Sequence, residues 1–304
     1  MGSTGDSARI ARRWIARIAL IGALTGAPRP GHGGGALRLR EPGGAGDVAA
    51  RSAPVLAGRP ALEWAAAALG GAVWFTSAVL VKSRIAPSEC RWCESNWFDD
   101  DLRSLRWSDR HAADLTSDVL SFAVAPAAAG ALVALAAARD GRAEEIWLDS
   151  SIVAEALVAS ALAGEVLKVA TARERPFVHD LPPAGKSNTP QPDENNLSFV
   201  SSHAATSFAL AVASGTVATL RRRRLAPIVW ATGLTLAAAT SYLRLAADEH
   251  YATDVLGGAA IGAAIGLAVP LLHRGGERES DTVIAVPVRM GPGAAGATIV
   301  LRWR

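Results

Sequence analysis

The stretch 240–258, TSYLRLAADEHYATDVLGG, places ionisable side chains between two long apolar segments. Arg244 is followed six residues later by His250, and Asp254 comes four residues after His250. Ionisable groups at the mouths of apolar helices are costly to keep there, which favours a functional site. The alternative is an ordinary interfacial turn whose charged residues face water. The rest of the chain decides between the two.

Half of the 304 residues are apolar, and they are grouped in blocks. Such grouping distinguishes a membrane protein from a soluble protein of equal composition. The formal net charge of +3 is too weak to indicate nucleic acid, so no nucleic-acid partner is expected. The composition therefore indicates an integral membrane protein of the all-α class.

Six apolar blocks are long enough, or nearly so, to cross a hydrocarbon core, which needs about 20 helical residues. Alanine and glycine dominate these blocks, and small residues let helices approach closely in lipid. We therefore predict a six-helix membrane bundle. The predicted spans are 61–81, 118–138, 148–170, 203–220, 226–246 and 254–273.

Four consecutive arginines, residues 221–224, occupy a very short turn and predict that this turn lies in the cytoplasm. Alternation of the spans then puts the two long connections, 82–117 and 171–202, on the outer side together with His250. We expect a multi-pass protein of the cell (inner) membrane whose site faces the outer, periplasmic side.

The two ends of the chain differ in amino-acid composition from the apolar blocks. Residues 1–60 are basic at first and then rich in glycine and proline, so we expect a disordered extension. Its short apolar run resembles a signal peptide, but a cleaved signal would invert the topology, so an uncleaved cytoplasmic extension is favoured. The membrane domain is expected to cover 61–273. The tail 274–304 is expected to be cytoplasmic, with alternating stretches at 282–289 and 297–303 that are typical of a β-hairpin.

The only two cysteines, Cys90 and Cys93, lie in the first outer connection, in CRWCESNWFDDD. They could be a redox pair or half of a metal site, but no second ligand pair stands at matching spacing. A local disulfide on the oxidising side of the membrane is the prediction. The aspartates 99–101 could bind a divalent cation, although a solvated acidic turn is the favoured interpretation.

Lys168 and Arg175, in KVATARERP, are seven residues apart, which is close to two helical turns. They would therefore project from one helix face, with Pro176 placing Arg175 where the helix gives way to a loop. Two cations at a helix mouth can clamp an anion, the lysine as a point charge and the arginine as a bidentate fork. The alternative is a pair of snorkelling side chains that mark the membrane edge.

Ser201, Ser202 and His203, in LSFVSSHAATSFAL, open the fourth apolar block. A serine at this position caps a helix, which is a sufficient structural explanation for one of the two. A helix N-terminus also offers free N–H groups and a positive dipole end to an anion. His203 is then placed to give a proton to whatever leaves that anion.

Together these three pieces resemble the type 2 phosphatidic acid phosphatase (PAP2) family, which shares its site with the vanadium haloperoxidases. The family pattern is K-x6-RP, PSGH and R-x5-H-x3-D, in that order and at the ends of successive helices. Residues 168–176 and 244–254 match the first and third pieces fully. The second piece reads VSSH and departs from the pattern at Val200 and Ser202.

The resemblance implies a six-span fold and a membrane-embedded lipid phosphate phosphatase that works through a phosphohistidine, with no metal and no cofactor. The substrate would be a phosphomonoester or diphosphate of a lipid, such as phosphatidate, phosphatidylglycerophosphate or a polyprenyl diphosphate. The resemblance makes His250 the nucleophile, Asp254 its orienting partner and His203 the general acid. The expected phosphate-binding residues are Lys168, Arg175, Ser201, Ser202 and Arg244.

Two other functions stay open at this point. The VSSH variant suggests a non-catalytic membrane protein that binds lipid phosphates without turning them over. A phosphotransferase would use a lipid or sugar hydroxyl in place of water as the acceptor. The membrane spans argue against a haloperoxidase, which would need bound vanadate in a soluble scaffold.

Overall fold

A computed structural model of the chain describes residues 56–275 and two strands, β1 (Thr282–Val288) and β2 (Ala297–Trp303). The strands pair antiparallel, with Thr282 opposite Trp303 and Val288 opposite Ala297. They lie where the alternating sequence predicts a hairpin. Residues 1–55, and with them nearly all of the predicted disordered extension, lie outside the described residues.

Helices form at all six apolar blocks and confirm the all-α class of the membrane domain. Shorter helices lie in the two long connections between them. The long helices are α1 (Pro60–Phe75), α4 (Arg110–Val119), α5 (Ala125–Arg139), α6 (Ile146–Thr171), α9 (Ser202–Leu220), α10 (Ala226–Ala246) and α11 (Ala252–Leu272). A π-helical turn, Thr76–Leu80, continues α1, and a second one, Leu120–Val124, joins α4 to α5. The short helices are α2 (Lys82–Ile85), α3 (Trp97–Leu102), α7 (Pro176–His179) and α8 (Pro183–Lys186).

In the described part of the chain, five helical stretches are long and apolar enough to cross a membrane, against the six spans predicted. They are Pro60–Leu80, Arg110–Arg139, Ser202–Leu220, Ala226–Ala246 and Ala252–Leu272. The helix α6 is not among them, although its 26 residues are ample in length. Its sequence carries four charged residues, Asp149, Glu155, Glu165 and Lys168, so polar side chains interrupt its apolar surface.

The helix α9 lies at the centre of the bundle. In its most apolar window 78% of the residues are buried, compared with 6% in α1 at the periphery. Small residues make this central position attainable, because α11 presents Gly258, Gly262 and Gly266 to α9. A Cβ atom on Gly262 would lie 2.0 Å from the carbonyl oxygen of Ala205, so the two backbones are in direct contact.

The helices α6 and α9 run antiparallel, and the two ends of the bundle carry different side chains. At one end Arg223, beyond the C-terminus of α9, lies 3.2 Å from Asp149 near the N-terminus of α6. At the other end the Thr171 hydroxyl, in the last turn of α6, donates to the carbonyl of Phe199 just before α9 at 3.0 Å. We call these the arginine end and the site end. All three motif pieces belong to the site end.

Candidate active site

Arg173 lies inside the first motif piece, and its side chain is fully buried between two carboxylates. Its Nη1 donates to Oδ1 of Asp254 at 2.5 Å, and its Nη2 donates to Oδ2 of Asp99 at 2.6 Å. The guanidinium also stacks 3.9 Å from the ring centre of Trp92 and 4.3 Å from that of Tyr251. Asp254 is therefore anchored by an arginine at one of the six positions that the K-x6-RP pattern leaves unspecified.

Asp99 is buried, so the interpretation of residues 99–101 as a solvated acidic turn is wrong for its first member. Besides Arg173, its carboxylate accepts hydrogen bonds from the Thr253 backbone N–H at 2.9 Å and from the Thr253 hydroxyl at 2.8 Å. The first long connection is thus bonded directly to the N-terminus of α11. A disulfide joins Cys90 and Cys93, with 5.4 Å between their Cα atoms, just ahead of this segment.

His250 is buried in the turn between α10 and α11. Its Nδ1 lies 3.7 Å from Oδ2 of Asp254, beyond hydrogen-bond distance, and has no hydrogen-bond partner among the described residues. That carboxylate oxygen accepts instead from the Ser198 hydroxyl at 2.6 Å and from the Tyr251 N–H at 2.8 Å. The structure thus brings the predicted pair close together without a hydrogen bond between them. Catalytic hydrogen bonds often shorten only when substrate binds.

Several cations converge on His250 from separate elements. Burial lowers the pKa of its imidazole well below the ordinary value of 6.5, and the positive charges of Arg175, Arg244 and Lys168 lower it further. These cations come from the connection after α6, from α10 and from the last turns of α6. The imidazole is therefore neutral at physiological pH, which is the form that can act as a nucleophile.

Carboxylates already contact the two arginines of the motif. Glu249 accepts a hydrogen bond from Nη1 of Arg175, and the same oxygen lies 3.4 Å from Nη2 of Arg244. Arg244 also donates to Asp114 and, at 3.0 Å, to the Ser117 hydroxyl. The Glu249 carboxylate thus bridges the two guanidinium groups in the way that an oxygen of a bound phosphoryl group would.

A second carboxylate, Glu194, holds Arg175 from the other side. Nη2 of Arg175 donates to its Oε2 at 2.5 Å, and Lys82 pairs with its Oε1. Burial by itself raises the pKa of Glu194, but the charges of Arg175, Lys82 and Lys168 outweigh burial and leave the pKa below its ordinary value. Lys82 therefore adds a fourth cation to the three that the motif predicts. Nζ of Lys168 lies 3.9 Å from Oε1 of Glu165.

His203 is held by a carboxylate from α4. Its Nε2 lies 2.9 Å from Oδ1 of Asp118, and its ring packs edge-on against Phe122 with 5.0 Å between ring centres. Because a carboxylate accepts hydrogen bonds, Nε2 carries a proton and Nδ1 is the nitrogen left to exchange one. Asp118 was missed as a site residue, although a carboxylate at the start of an apolar span is the kind of signal that marks one.

The two serines of the second piece have different surroundings. Ser201 is the N-cap of α9, where its hydroxyl accepts from the Ala204 N–H at 3.4 Å. The buried Ser202 hydroxyl has no hydrogen-bond partner in the described part of the chain. It faces Gly164 of α6, where a Cβ atom would lie 2.9 Å from its oxygen. Ser202 has ordinary helical backbone angles, so this position does not need the glycine of the family pattern.

Comparison with known proteins agrees with this arrangement. Residues 150–277 match the family model of the PAP2 superfamily. The chain thus carries a PAP2 superfamily domain, which confirms the resemblance and contains all three motif pieces. No curated protein and no solved structure matches the chain. A domain of this superfamily implies phosphatase-type activity on phosphate esters. The match begins within α6, and the extent of 61–273 for the membrane domain stays a prediction.

Proposed function

We propose that the protein hydrolyses a phosphate monoester or diphosphate of a membrane lipid through a phosphohistidine formed on His250. The observation that carries this proposal is the buried, neutral imidazole of His250 within reach of the charges of Lys168, Arg175 and Arg244. A neutral nucleophile surrounded by fixed cations suits attack on an anionic phosphoryl group. The cations also stabilise the charge of the five-coordinate transition state.

Substrate binding begins with an exchange of partners. The phosphoryl oxygens take from Glu249 the donors that Arg175 and Arg244 now give to it. Lys168 supplies a further positive charge, and the unpartnered Ser202 hydroxyl a further donor, on the side of α6. Ser201 contributes through the helix N-terminus that it caps.

The first chemical step transfers the phosphoryl group to the enzyme. Nε2 of His250 forms a bond to phosphorus while the phosphorus–oxygen bond to the leaving group breaks. Nδ1 of protonated His203 gives its proton to the departing oxygen. Asp118 steadies the opposite nitrogen of His203, and Asp254 faces Nδ1 of His250.

The second step regenerates the enzyme. His203, now neutral at Nδ1, takes a proton from a water molecule as that water attacks the phosphohistidine. The phosphorus–nitrogen bond breaks, inorganic phosphate leaves and His250 is neutral again. Glu249 then returns to the two arginines.

A lipid substrate is supported by the position of the site at the ends of membrane-length helices. The arginine turn lies at the opposite end of the bundle, which supports an outer, periplasmic location for the site under the positive-inside rule. We therefore place the protein in the cell (inner) membrane, with substrate reaching the site from the outer leaflet.

The test uses full-length protein purified in detergent with dioctanoyl phosphatidate, in the presence of EDTA. Wild-type protein should release inorganic phosphate, and His250→Ala should lose at least about a thousandfold in rate, as expected for loss of a nucleophile. His111→Ala, which removes an exposed histidine, is the matched control. Brief exposure of the wild type to ³²P-labelled substrate should trap an acid-labile phosphohistidine that His250→Ala lacks.

Other outcomes separate the alternatives. Equal rates for wild type and His250→Ala would contradict the mechanism. Saturable binding of the lipid phosphate without turnover would make the protein a binding protein. Transfer of the label to added glycerol in preference to water would make it a phosphotransferase.

A further inference from the structure

Three side chains with metal-ligating atoms meet at the arginine end of the bundle. They are Glu63 on α1, Glu155 on α6 and His273 directly after α11. Glu155 and Lys168 are thirteen residues apart on α6, which places the cluster about 20 Å along the helix from the site end. The proposed phosphatase reaction uses none of these three residues.

The spacing of their ligand atoms fits a bound ion. Nε2 of His273 lies 3.4 Å from Oε2 of Glu155 and 3.8 Å from Oε2 of Glu63. One atom from each residue can be chosen so that all lie within 4.8 Å of one another. Around a tetrahedral ion with bonds of about 2.1 Å, ligand atoms are about 3.4 Å apart. A small adjustment of the Glu63 side chain would bring all three into this range.

The orientation of the histidine ring is already that of a metal ligand. Nδ1 of His273 lies 2.9 Å from the carbonyl oxygen of Val269. A carbonyl only accepts hydrogen bonds, so Nδ1 carries a proton, and in the neutral ring Nε2 turns its lone pair toward the two carboxylates. Metal-binding histidines commonly donate their other N–H to a backbone carbonyl in this way, which fixes the ring and its tautomer.

One imidazole faces two carboxylates in the cluster, so protein groups balance its charge only in part. Among the described residues, His273 is the only ion-pair partner of Glu63 and Glu155. Oε1 of Glu155 is buried without a hydrogen-bond partner there. The side chains of Glu63, Glu155 and His273 are only 23%, 17% and 15% exposed. Two carboxylates in such surroundings are costly, and a divalent cation would neutralise both.

The backbone before α1 fixes two of the three residues. The Ala57 N–H donates to the carbonyl of His273 at 2.7 Å, and the Arg59 N–H donates to Oε1 of Glu63 at 3.3 Å. Oε1 of Glu63 is thereby held by the backbone, while Oε2 is the atom turned toward His273. The backbone thus ties the start of α1 to the end of α11, and α6 contributes Glu155 to the same cluster.

We propose that Glu63, Glu155 and His273 bind a divalent transition-metal ion, with Zn²⁺ best suited to one imidazole and two carboxylates and with water completing the coordination. The ion joins the first and last membrane helices to α6 at the arginine end. It acts on the stability of the bundle and not on phosphoryl transfer, which takes place at the site end.

The test uses full-length protein in detergent, stripped with EDTA and dialysed, with ZnCl₂ as the binding probe and CoCl₂ as its spectroscopic substitute. Wild-type protein should bind one zinc ion per chain by elemental analysis, and its thermal unfolding midpoint should rise with zinc. Cobalt should give the visible absorption of a four-coordinate site. Glu155→Gln and His273→Asn should each weaken zinc binding by at least about tenfold.

The controls are Glu144→Gln and His111→Asn, which alter exposed residues away from the cluster. Both should keep the wild-type zinc affinity and the wild-type shift in midpoint. Zinc binding of unchanged affinity in Glu155→Gln and His273→Asn would overturn the proposal. A wild type that binds no zinc, with a midpoint that only His273→Asn lowers, would identify the cluster as an ion pair only. If Glu155→Gln fails to fold, Glu63→Gln decides in its place.

Discussion

Arg173 and Asp254 form an ion pair with 2.5 Å between nitrogen and oxygen, and neither side chain is exposed. The same guanidinium binds Asp99 at 2.6 Å, so a single arginine joins α3, the connection after α6, and α11. Asp254 is the residue expected to orient His250, and its position is set from the first long connection. The stability of the site end and the position of the proposed nucleophile, His250, are therefore coupled through Arg173.

Replacing Arg173 by methionine should leave two carboxylates buried without their cation. Breaking a buried ion pair from one side costs about 3–5 kcal/mol, so Arg173→Met should lower the free energy of unfolding by about that amount. Denaturant titration in detergent measures the effect. Arg84→Met, which removes an exposed arginine, is the control and should change little. Equal unfolding midpoints for the two variants would show that the pair carries no net stability.

Glu249→Gln should tighten the binding of phosphate analogues. The carboxylate of Glu249 uses donors of Arg175 and Arg244 that the substrate needs, and a neutral amide competes for them less strongly. We expect the inhibition constant of orthovanadate to fall about tenfold, equivalent to about 1.4 kcal/mol. Inhibition assays on wild type, Glu249→Gln and the exposed control Glu89→Gln would measure this. A weaker affinity in Glu249→Gln would mean that Glu249 positions the arginines instead of competing for them.

The motif spacing predicted which residues meet at the site, but not the groups that hold them. Lys168, Arg175 and Arg244 lie close enough to His250 for their charges to lower its pKa, and their binding of phosphate stays a prediction. The carboxylates that partner them come from other elements of the chain. Such pairings depend on tertiary contacts between segments far apart in sequence, and residue spacing along one helix carries no information about them. The partners missed in this way include Asp99, Asp114, Asp118, Glu194 and Glu249.

The same limit applies to the turn of four arginines, residues 221–224, whose ion-pair partners the sequence pattern does not show. The positive-inside rule uses the four arginines only as a signal that this turn lies in the cytoplasm. In the structure Arg221 and Arg223 are largely buried and pair with Glu145 and Asp149 of the α6 segment, whereas Arg224 is 89% exposed. Hydropathy located the helix α6 correctly. It could not show that the charges of α6 serve these pairings.

Asp118→Asn should slow hydrolysis of an alkyl phosphate by about a hundredfold, the lower end of what general acid catalysis contributes. The reason is that Asp118 holds Nε2 of His203, and without it the ring is free to turn away from the leaving group. With p-nitrophenyl phosphate, whose leaving group needs little protonation, the loss should be much smaller. The ratio of the two kcat values is the readout. A merely structural role for Asp118 would slow both substrates alike.

His250 should stay neutral well into the acidic range. Burial and the charges of Arg175, Arg244 and Lys168 lower its pKa far below 6.5, so protonation and loss of the nucleophile occur only as the pH falls through that lower value. In ¹⁵N-histidine NMR spectra, the signal assigned to His250 by its absence in His250→Gln should show a neutral imidazole at pH 6. A signal that titrates near 6.5 would contradict the convergence of the three cations.

The contact between α9 and α11 should be the part of the bundle least tolerant of added volume. Since a Cβ on Gly262 would lie 2.0 Å from the Ala205 carbonyl oxygen, even Gly262→Ala requires the two backbones to separate. Overpacking of this kind costs about 1–3 kcal/mol, and the unfolding midpoint should fall accordingly. Gly130→Ala on α5 is the matched control, because a Cβ there meets nothing within 4 Å.

The separation would also reach the site, because α9 carries His203 and α11 follows directly on His250. Gly262→Ala should therefore reduce kcat along with stability, while Gly130→Ala leaves both near the wild-type values. Equal midpoints for the two variants would show that α9 and α11 can move apart without cost. A loss of stability with unchanged kcat would show instead that the two histidines are held by the site-end connections, with Arg173 at their centre, and not by the packing of the helices.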